Sequence, residues 1–72
     1  MLIAKVDKIV SLRQAQGLNQ KGLSEKAGLP VNAIFRIETG AYTRTQSLRA
    51  KAIADALGCS VDEIFTPELK TK

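Results

Sequence analysis

Glycine positions constrain the fold of this chain more than any other sequence feature. Gly17, Gly28, Gly40 and Gly58 each end a stretch in which apolar residues recur three and four positions apart. Glycine is favoured just beyond a helix because it adopts the left-handed conformation that closes the last turn. No stretch alternates apolar and polar residues for long enough to indicate a strand. The pattern therefore predicts an all-α fold of five short helices.

The boundaries of these helices follow from the glycines and from the capping residues. The predicted segments are residues 4–16, 20–27, 30–39, 46–57 and 61–65. Asn19 is a good N-cap, and Pro30 suits a first helical position because the N–H it lacks has no partner there. Ser60 and Glu63 form a capping-box pattern before the last helix. We expect one domain over residues 1–72, with a core at about 4–66 and a frayed tail at 67–72.

The side-chain inventory excludes most chemistry. The 72 residues include one cysteine and no histidine, so no intrachain disulfide forms and Cys59 alone cannot hold zinc. Nucleophilic catalysis by a Ser-His-Asp or Cys-His arrangement is excluded for the same reason. No apolar run reaches the roughly 18 residues of a membrane span. We therefore expect a cytoplasmic protein that is not an enzyme and has no metal, no cofactor, no small-molecule ligand and no membrane partner.

The charge is divided unevenly along the chain. The net charge is +4, but the residues up to Ala54 carry nine bases and three acids, whereas the remainder carries two bases and four acids. A basic body with an acidic end suggests an anionic partner for the first part. A charge of +4 is equally consistent with an ordinary soluble surface.

The turn between the second and third segments is unusually short. It comprises only Gly28-Leu29-Pro30, which is typical of a helix-turn-helix. On a helical wheel the third segment has an outward face about 140° wide. The residues of that face are Val31, Asn32, Phe35, Arg36 and Thr39. Asparagine can pair with adenine, arginine with guanine, and an apolar side chain with the thymine methyl.

The polar members of this face alone would also fit an ordinary solvated surface. Val31 and Phe35 favour a binding face over an ordinary solvated surface, because two exposed apolar side chains on one face require a partner surface. A second anomaly lies in the first segment, where Arg13 falls on the apolar face with Ile9 and Val10. Arginine is seldom buried without a partner, so Arg13 needs an acid from elsewhere in the fold.

Several motifs extend the helix-turn-helix interpretation to most of the chain. They are Leu12-Arg13, Gly17-Leu18-Asn19-Gln20, Leu23-Ser24, Gly28-Leu29, Ile34, Arg36-Ile37-Glu38-Thr39-Gly40 and residues 53–65. In this order and spacing they resemble the lambda-repressor/Cro-type helix-turn-helix family, also called the xenobiotic-response-element family. The resemblance covers about four-fifths of the chain. It implies a lambda-repressor-like DNA-binding domain with its helix-turn-helix at helices 2 and 3.

The resemblance also implies roles for individual residues. The expected base-contacting residues are Gln20, Val31, Asn32, Phe35 and Arg36. The expected phosphate-contacting residues are Asn19, Lys21, Thr39, Tyr42, Thr43, Arg44 and Thr45. Arg13 and Glu38 correspond to a buried salt bridge that joins helix 1 to helix 3. Pro30 departs from the family, because it stands where Ser or Thr usually caps the recognition helix.

A regulator of this family is expected to bind double-stranded DNA as a homodimer, since one recognition helix reads only half a site. Such a protein is most often a repressor on a near-palindromic operator in the bacterial nucleoid. The residues expected at the dimer interface are Val61, Ile64, Phe65 and Leu69. The main alternative is a protein-interaction module of the same fold, such as an antitoxin, in which Val31 and Phe35 bind a partner protein. A membrane-surface role is weaker, because the bases spread over several faces.

Overall fold

The computed structural model describes residues 1–41 and 44–67. Its helices are α1 (Val6–Ala15), α2 (Gln20–Lys26), α3 (Ala33–Glu38), α4 (Ser47–Leu57) and α5 (Val61–Ile64). Its strands are β1 (Leu2–Ala4), β2 (Arg44–Thr45) and β3 (Phe65–Pro67). Within these residues no helix is both long enough and apolar enough to cross a membrane.

The five predicted helices are present, but the all-α prediction is incomplete because the strands form a small sheet. The strand order is β2-β1-β3, and both pairings are antiparallel. Leu2 lies opposite Thr45 on one side, and Ala4 lies opposite Phe65 on the other. Strands of two or three residues are too short to show alternation in the sequence. Their pairing also joins the beginning, middle and end of the chain, which no local pattern can reveal.

Two helices begin at least two residues later than predicted, and each has a structural reason. The first starts at Val6 rather than residue 4 because the preceding residues pair as β1. The third starts at Ala33 because residues 30–32 form a turn, in which the Ala33 N–H donates to the Pro30 carbonyl at 2.9 Å. The glycines that end the helices all have positive φ, between 70° and 88°.

The hydrophobic core lies between the helices and the sheet. Its largest fully buried side chains are Ile9, Leu23, Ile34, Ile37, Ile53, Ile64 and Phe65. They come from all five helices and from β3, so these six elements contribute to one shared core. The inward faces of α2 and α3 are held in this core, which leaves the opposite face of α3 outside.

The structure corrects part of the expected dimer interface. Ile64 and Phe65 are fully buried in the core of the single chain, so they are not available to a second copy. The capping box at Ser60 and Glu63 starts α5 so that Ile64 points inward, and Phe65 then begins the strand that pairs with β1. Val61 is half-buried against the same core. Leu69 lies outside the described residues.

Candidate functional site

Ser24 fixes the contact between α2 and α3. Its hydroxyl donates to the Gln20 carbonyl at 2.9 Å and accepts from the Ile34 N–H at 3.1 Å, and the side chain is fully buried. Ile34 is the second residue of α3, where the N–H has no partner within the helix. Pro30 cannot supply a side-chain cap, so a serine from the neighbouring helix performs that role and sets the orientation of α3.

Replacing Ser24 with alanine is expected to lower the free energy of unfolding by about 1–3 kcal/mol, because the buried Ile34 N–H then loses its acceptor. Urea denaturation followed by circular dichroism measures the change. Ser11→Ala is a matched control, since Ser11 is exposed on α1 and its loss should change stability by less than about 0.5 kcal/mol. Equal midpoints for the two variants would contradict this capping role.

A second polar cluster joins α1, α2 and α3. Arg13 Nε donates to Glu38 Oε2 at 2.9 Å, and a second guanidinium nitrogen donates to Glu38 Oε1 at 3.1 Å. The remaining terminal nitrogen donates to the Leu18 carbonyl at 3.0 Å. The two side chains are only 12% and 6% exposed. This forked geometry fixes both partners in orientation as well as in position.

Gln20 extends the cluster to the start of α2. Its Nε2 donates to Glu38 Oε1 at 2.8 Å, and the residue is half-buried. An amide nitrogen has two N–H groups, so this bond leaves one available for another acceptor. Gln20 was expected to touch a base edge, and its carboxamide is held in place beside α3 by the same carboxylate that binds Arg13.

The outward face of α3 has the composition that the helical wheel predicted. Val31 and Phe35 are 50% and 51% exposed, whereas Ile34 and Ile37 on the opposite side are buried. Asn32, Arg36 and Thr39 are exposed as well. Val31 and Asn32 precede the first residue of α3, but the Arg36 N–H donates to the Asn32 carbonyl at 3.0 Å, so the helical bonding pattern extends back to Asn32.

Of the seven expected phosphate-contacting residues, four are exposed, one is buried and two lie outside the described residues. Asn19, Lys21 and Arg44 are exposed, and the Asn19 side chain caps α2 by accepting from the Gly22 N–H at 2.6 Å. Thr39 is exposed at the end of α3, where its hydroxyl donates to the Arg36 carbonyl at 3.3 Å. Tyr42 and Thr43 lie outside the described residues.

Thr45 is the exception, and its expected phosphate contact is wrong. Only 3% of the residue is exposed, because β2 points Arg44 outward and Thr45 inward. Its hydroxyl has no hydrogen-bond partner among the residues that the structure describes. A side chain enclosed in this way cannot reach a phosphate outside the domain.

Arg49 is a candidate site residue that the sequence analysis did not name. It lies on α4 and borders a hollow of about 210 Å³ together with Pro30, Asn32, Ala33 and Arg36. The same side chain borders a second hollow, of about 250 Å³, beside Arg44. The sequence offered no signal beyond one more base in the charge count. Only the packing of α4 against the helix-turn-helix brings Arg49 to the start of α3.

The charges around the outward face of α3 are predominantly positive. Arg36 and Arg49 border one hollow, and Arg44 shares the adjacent hollow with Arg49. The single acid of α3, Glu38, is buried and bound to Arg13. The described part of this surface therefore favours an anionic partner that also has an apolar group for Val31 and Phe35.

Two groups with shifted pKa values lie away from this surface, at the junction of α4 and α5. Partial burial raises the pKa of the Cys59 thiol, and the nearby Glu63 carboxylate raises it further. The protonated thiol is the weakly nucleophilic form. The Ser60 N–H, which donates to Glu63 Oε2 at 2.9 Å, lowers the pKa of the Glu63 carboxyl. Both shifts follow from local packing and capping.

Comparison with known proteins agrees with this geometry. A family model described as helix-turn-helix matches residues 9–64. A solved structure of SinR, described as the master regulator for biofilm formation in complex with DNA, superposes with a TM-score of 0.74. It is 24% identical in sequence, and the match covers 79% of this chain and 90% of the SinR chain. At that identity the likeness concerns the fold. No match was found among curated proteins.

Proposed function

Because the chain belongs to the helix-turn-helix family of the Cro/C1 type, we propose that it is a sequence-specific regulator of transcription that binds double-stranded DNA. The observation that supports this most is the outward face of α3. That face combines Asn32 and Arg36 with two apolar side chains, and Arg49 borders the same hollow as Asn32 and Arg36. The major groove is about 12 Å wide and admits one α-helix. The SinR structure, in which a chain of the same fold is in complex with DNA, supports the same interpretation.

The proposed division of labour follows from side-chain type and exposure. Asn32 and Arg36 contact base edges, since asparagine pairs with adenine and arginine with guanine through two hydrogen bonds. Asn19, Lys21 and Arg44 contact backbone phosphates, which fix the position of the protein without reading sequence. Arg49 joins this phosphate-contacting group, because it borders the same hollow as Arg36. Gln20 contributes from the start of α2, where Glu38 holds its amide.

We further propose that the protein acts as a homodimeric repressor on a near-palindromic operator, in the bacterial cytoplasm. A dimer places two recognition helices in successive major grooves, about 34–36 Å apart. The acidic end of the chain then lies away from the phosphates, in agreement with its charge. With Ile64 and Phe65 in the core, Val61 is the described member of the expected interface that retains exposed area.

Salt dependence tests this function. Affinity for DNA should fall steeply between low and physiological salt, because each neutralised phosphate releases a counterion. Arg44→Ala should reduce the slope of log affinity against log salt by about 1 and weaken binding to all sequences alike. Arg36→Ala should instead cost about 1–3 kcal/mol on the preferred site and relax the preference at one base pair. Fluorescence anisotropy with labelled duplexes measures both effects.

Lys5→Gln is the matched control for the loss of one positive charge. Lys5 Nζ donates to the Asp62 carbonyl at 2.9 Å, which places it beside α5 rather than α3. Its substitution should leave the salt slope of the wild-type protein unchanged. Affinity that does not respond to salt in the wild-type protein would contradict the proposed function.

The half-exposed Val31 and Phe35 also favour a second candidate, a protein-interaction module of the same fold. In that case the two side chains would form the centre of a protein interface. The distinguishing result is capture of a partner protein that is insensitive to salt, with no retention of DNA on random or genomic fragments.

A further inference from the structure

The outward face of α3 includes an apolar pair that the contacts proposed for Asn32 and Arg36 leave unexplained. Val31 and Phe35 are four residues apart, and about half of each is exposed. Phe35 lies within α3, whereas Val31 lies in the turn directly before it, and the Arg36 N–H donates to the Asn32 carbonyl at the start of the helix. The two exposed apolar side chains therefore alternate along the chain with the polar Asn32 and Arg36.

The major groove of DNA offers one strongly apolar group, the C5 methyl of thymine. The other base-edge groups in that groove are hydrogen-bond donors and acceptors. Phosphates and sugars lie along its rims and are contacted mainly by polar side chains. An apolar side chain that enters the groove between Asn32 and Arg36 therefore has a thymine methyl as its complementary partner.

The charges beside the pair favour DNA over a protein as the occupant. Arg36 and Arg49 border the hollow at the start of α3, and Glu38, the single acid of this helix, is buried against Arg13. The hollow at the start of α3 is thus lined by two positive charges, and Val31 and Phe35 are chain neighbours of residues that line it. Positive charge next to apolar side chains is complementary to DNA, which has negatively charged phosphates and thymine methyl groups in its major groove.

We infer that Val31 and Phe35 read thymine methyl groups, and that the preferred half-site therefore contains thymines at the positions these side chains reach. This inference rests on the proposed function. Phe35 lies within α3 and Val31 lies in the turn before it, so the two side chains should reach thymines at different base pairs of the half-site. Phe35 has the larger apolar surface of the two and should provide most of the discrimination.

The test uses deoxyuridine, which has the same pairing edge as thymidine and lacks only the methyl. A preferred duplex is first selected from a random pool with the wild-type protein, and each thymidine is then replaced singly. Removing a buried methyl should lower the affinity about fourfold at one or two positions and leave the other positions unchanged. Phe35→Ala should bind the thymidine and deoxyuridine versions of its position equally. The control Leu48→Ala removes an exposed apolar side chain from α4 and should keep the deoxyuridine effect.

The possible outcomes separate this inference from the proposed function. If the wild-type protein binds the selected duplex with a steep salt dependence but tolerates every deoxyuridine, methyl reading is wrong while DNA binding stands. If Phe35→Ala retains the full deoxyuridine effect, another residue contacts the methyl group, and the proposed role of Phe35 is wrong. If selection enriches no sequence and no duplex is retained, the proposed function fails and this inference fails with it.

Discussion

Replacing Glu38 with alanine is expected to lower the free energy of unfolding by about 3–5 kcal/mol, because the variant leaves the Arg13 guanidinium buried without its carboxylate. The Gln20 amide loses the same acceptor. A domain of this length has a total stability of roughly 4–11 kcal/mol at about 0.05–0.15 kcal/mol per residue. The substitution should therefore bring the protein close to unfolding at growth temperature. Urea denaturation followed by circular dichroism measures the loss.

Two controls separate the ion pair from general effects of mutation. Glu25→Ala removes an exposed acid from α2 and should change stability by less than about 0.5 kcal/mol. The double variant Arg13→Met/Glu38→Leu replaces the whole pair with apolar side chains and should be more stable than Glu38→Ala, since no charge remains buried alone. A loss of less than about 1 kcal/mol in Glu38→Ala would show that Arg13 finds another partner.

Phe65→Ala is expected to be destabilising by about 3–5 kcal/mol, because the ring is 1% exposed and its removal leaves a cavity in the shared core. The same residue pairs with Ala4 between β3 and β1, so a loosened core also weakens the sheet. Thermal unfolding should show the loss at every protein concentration, since the ring is buried within one chain. Calorimetry over a wide concentration range measures this.

The chain contains its own matched control for that substitution. Phe35→Ala removes the same side chain from an exposed position on α3 and should change stability far less. If Phe65→Ala instead left stability intact at high protein concentration and lowered it only on dilution, the ring would contact a second copy. That result would restore the dimer interface that its burial argues against.

The helices could be predicted because their signals are local. A glycine with positive φ follows four of the helices, Asn19 caps α2, and Ser60 with Glu63 forms the capping box of α5. Each signal involves residues within a few positions of one another, so chain order alone is enough to read it. The sheet could not be predicted in this way, because its three short strands are far apart in the chain and pair only in the tertiary structure.

The candidate site also contains residues that local sequence patterns could place and residues that they could not. The outward face of α3 follows from helical geometry, and the sequence analysis identified Val31, Asn32, Phe35 and Arg36 as its members. Thr45 was assigned to the site although its side chain is buried, and Arg49 was not named although it borders the same hollow as Arg36. Thr45 was assigned outward but points inward from β2, and Arg49 reaches the start of α3 only through the packing of α4. Neither orientation is encoded in neighbouring residues.

The sequence by itself determined the helical segments, the position of the connection between α2 and α3, and the requirement that Arg13 find an acid; the connection spans residues 27–32 rather than the three residues predicted. It could do so because periodicity, capping and the cost of burying an unpaired charge depend on residue type and spacing. Only the tertiary structure decided that Ser24 caps α3 and that Ile64 and Phe65 belong to the core. These outcomes depend on which surfaces meet, and burial is a property of the whole packed chain rather than of any segment.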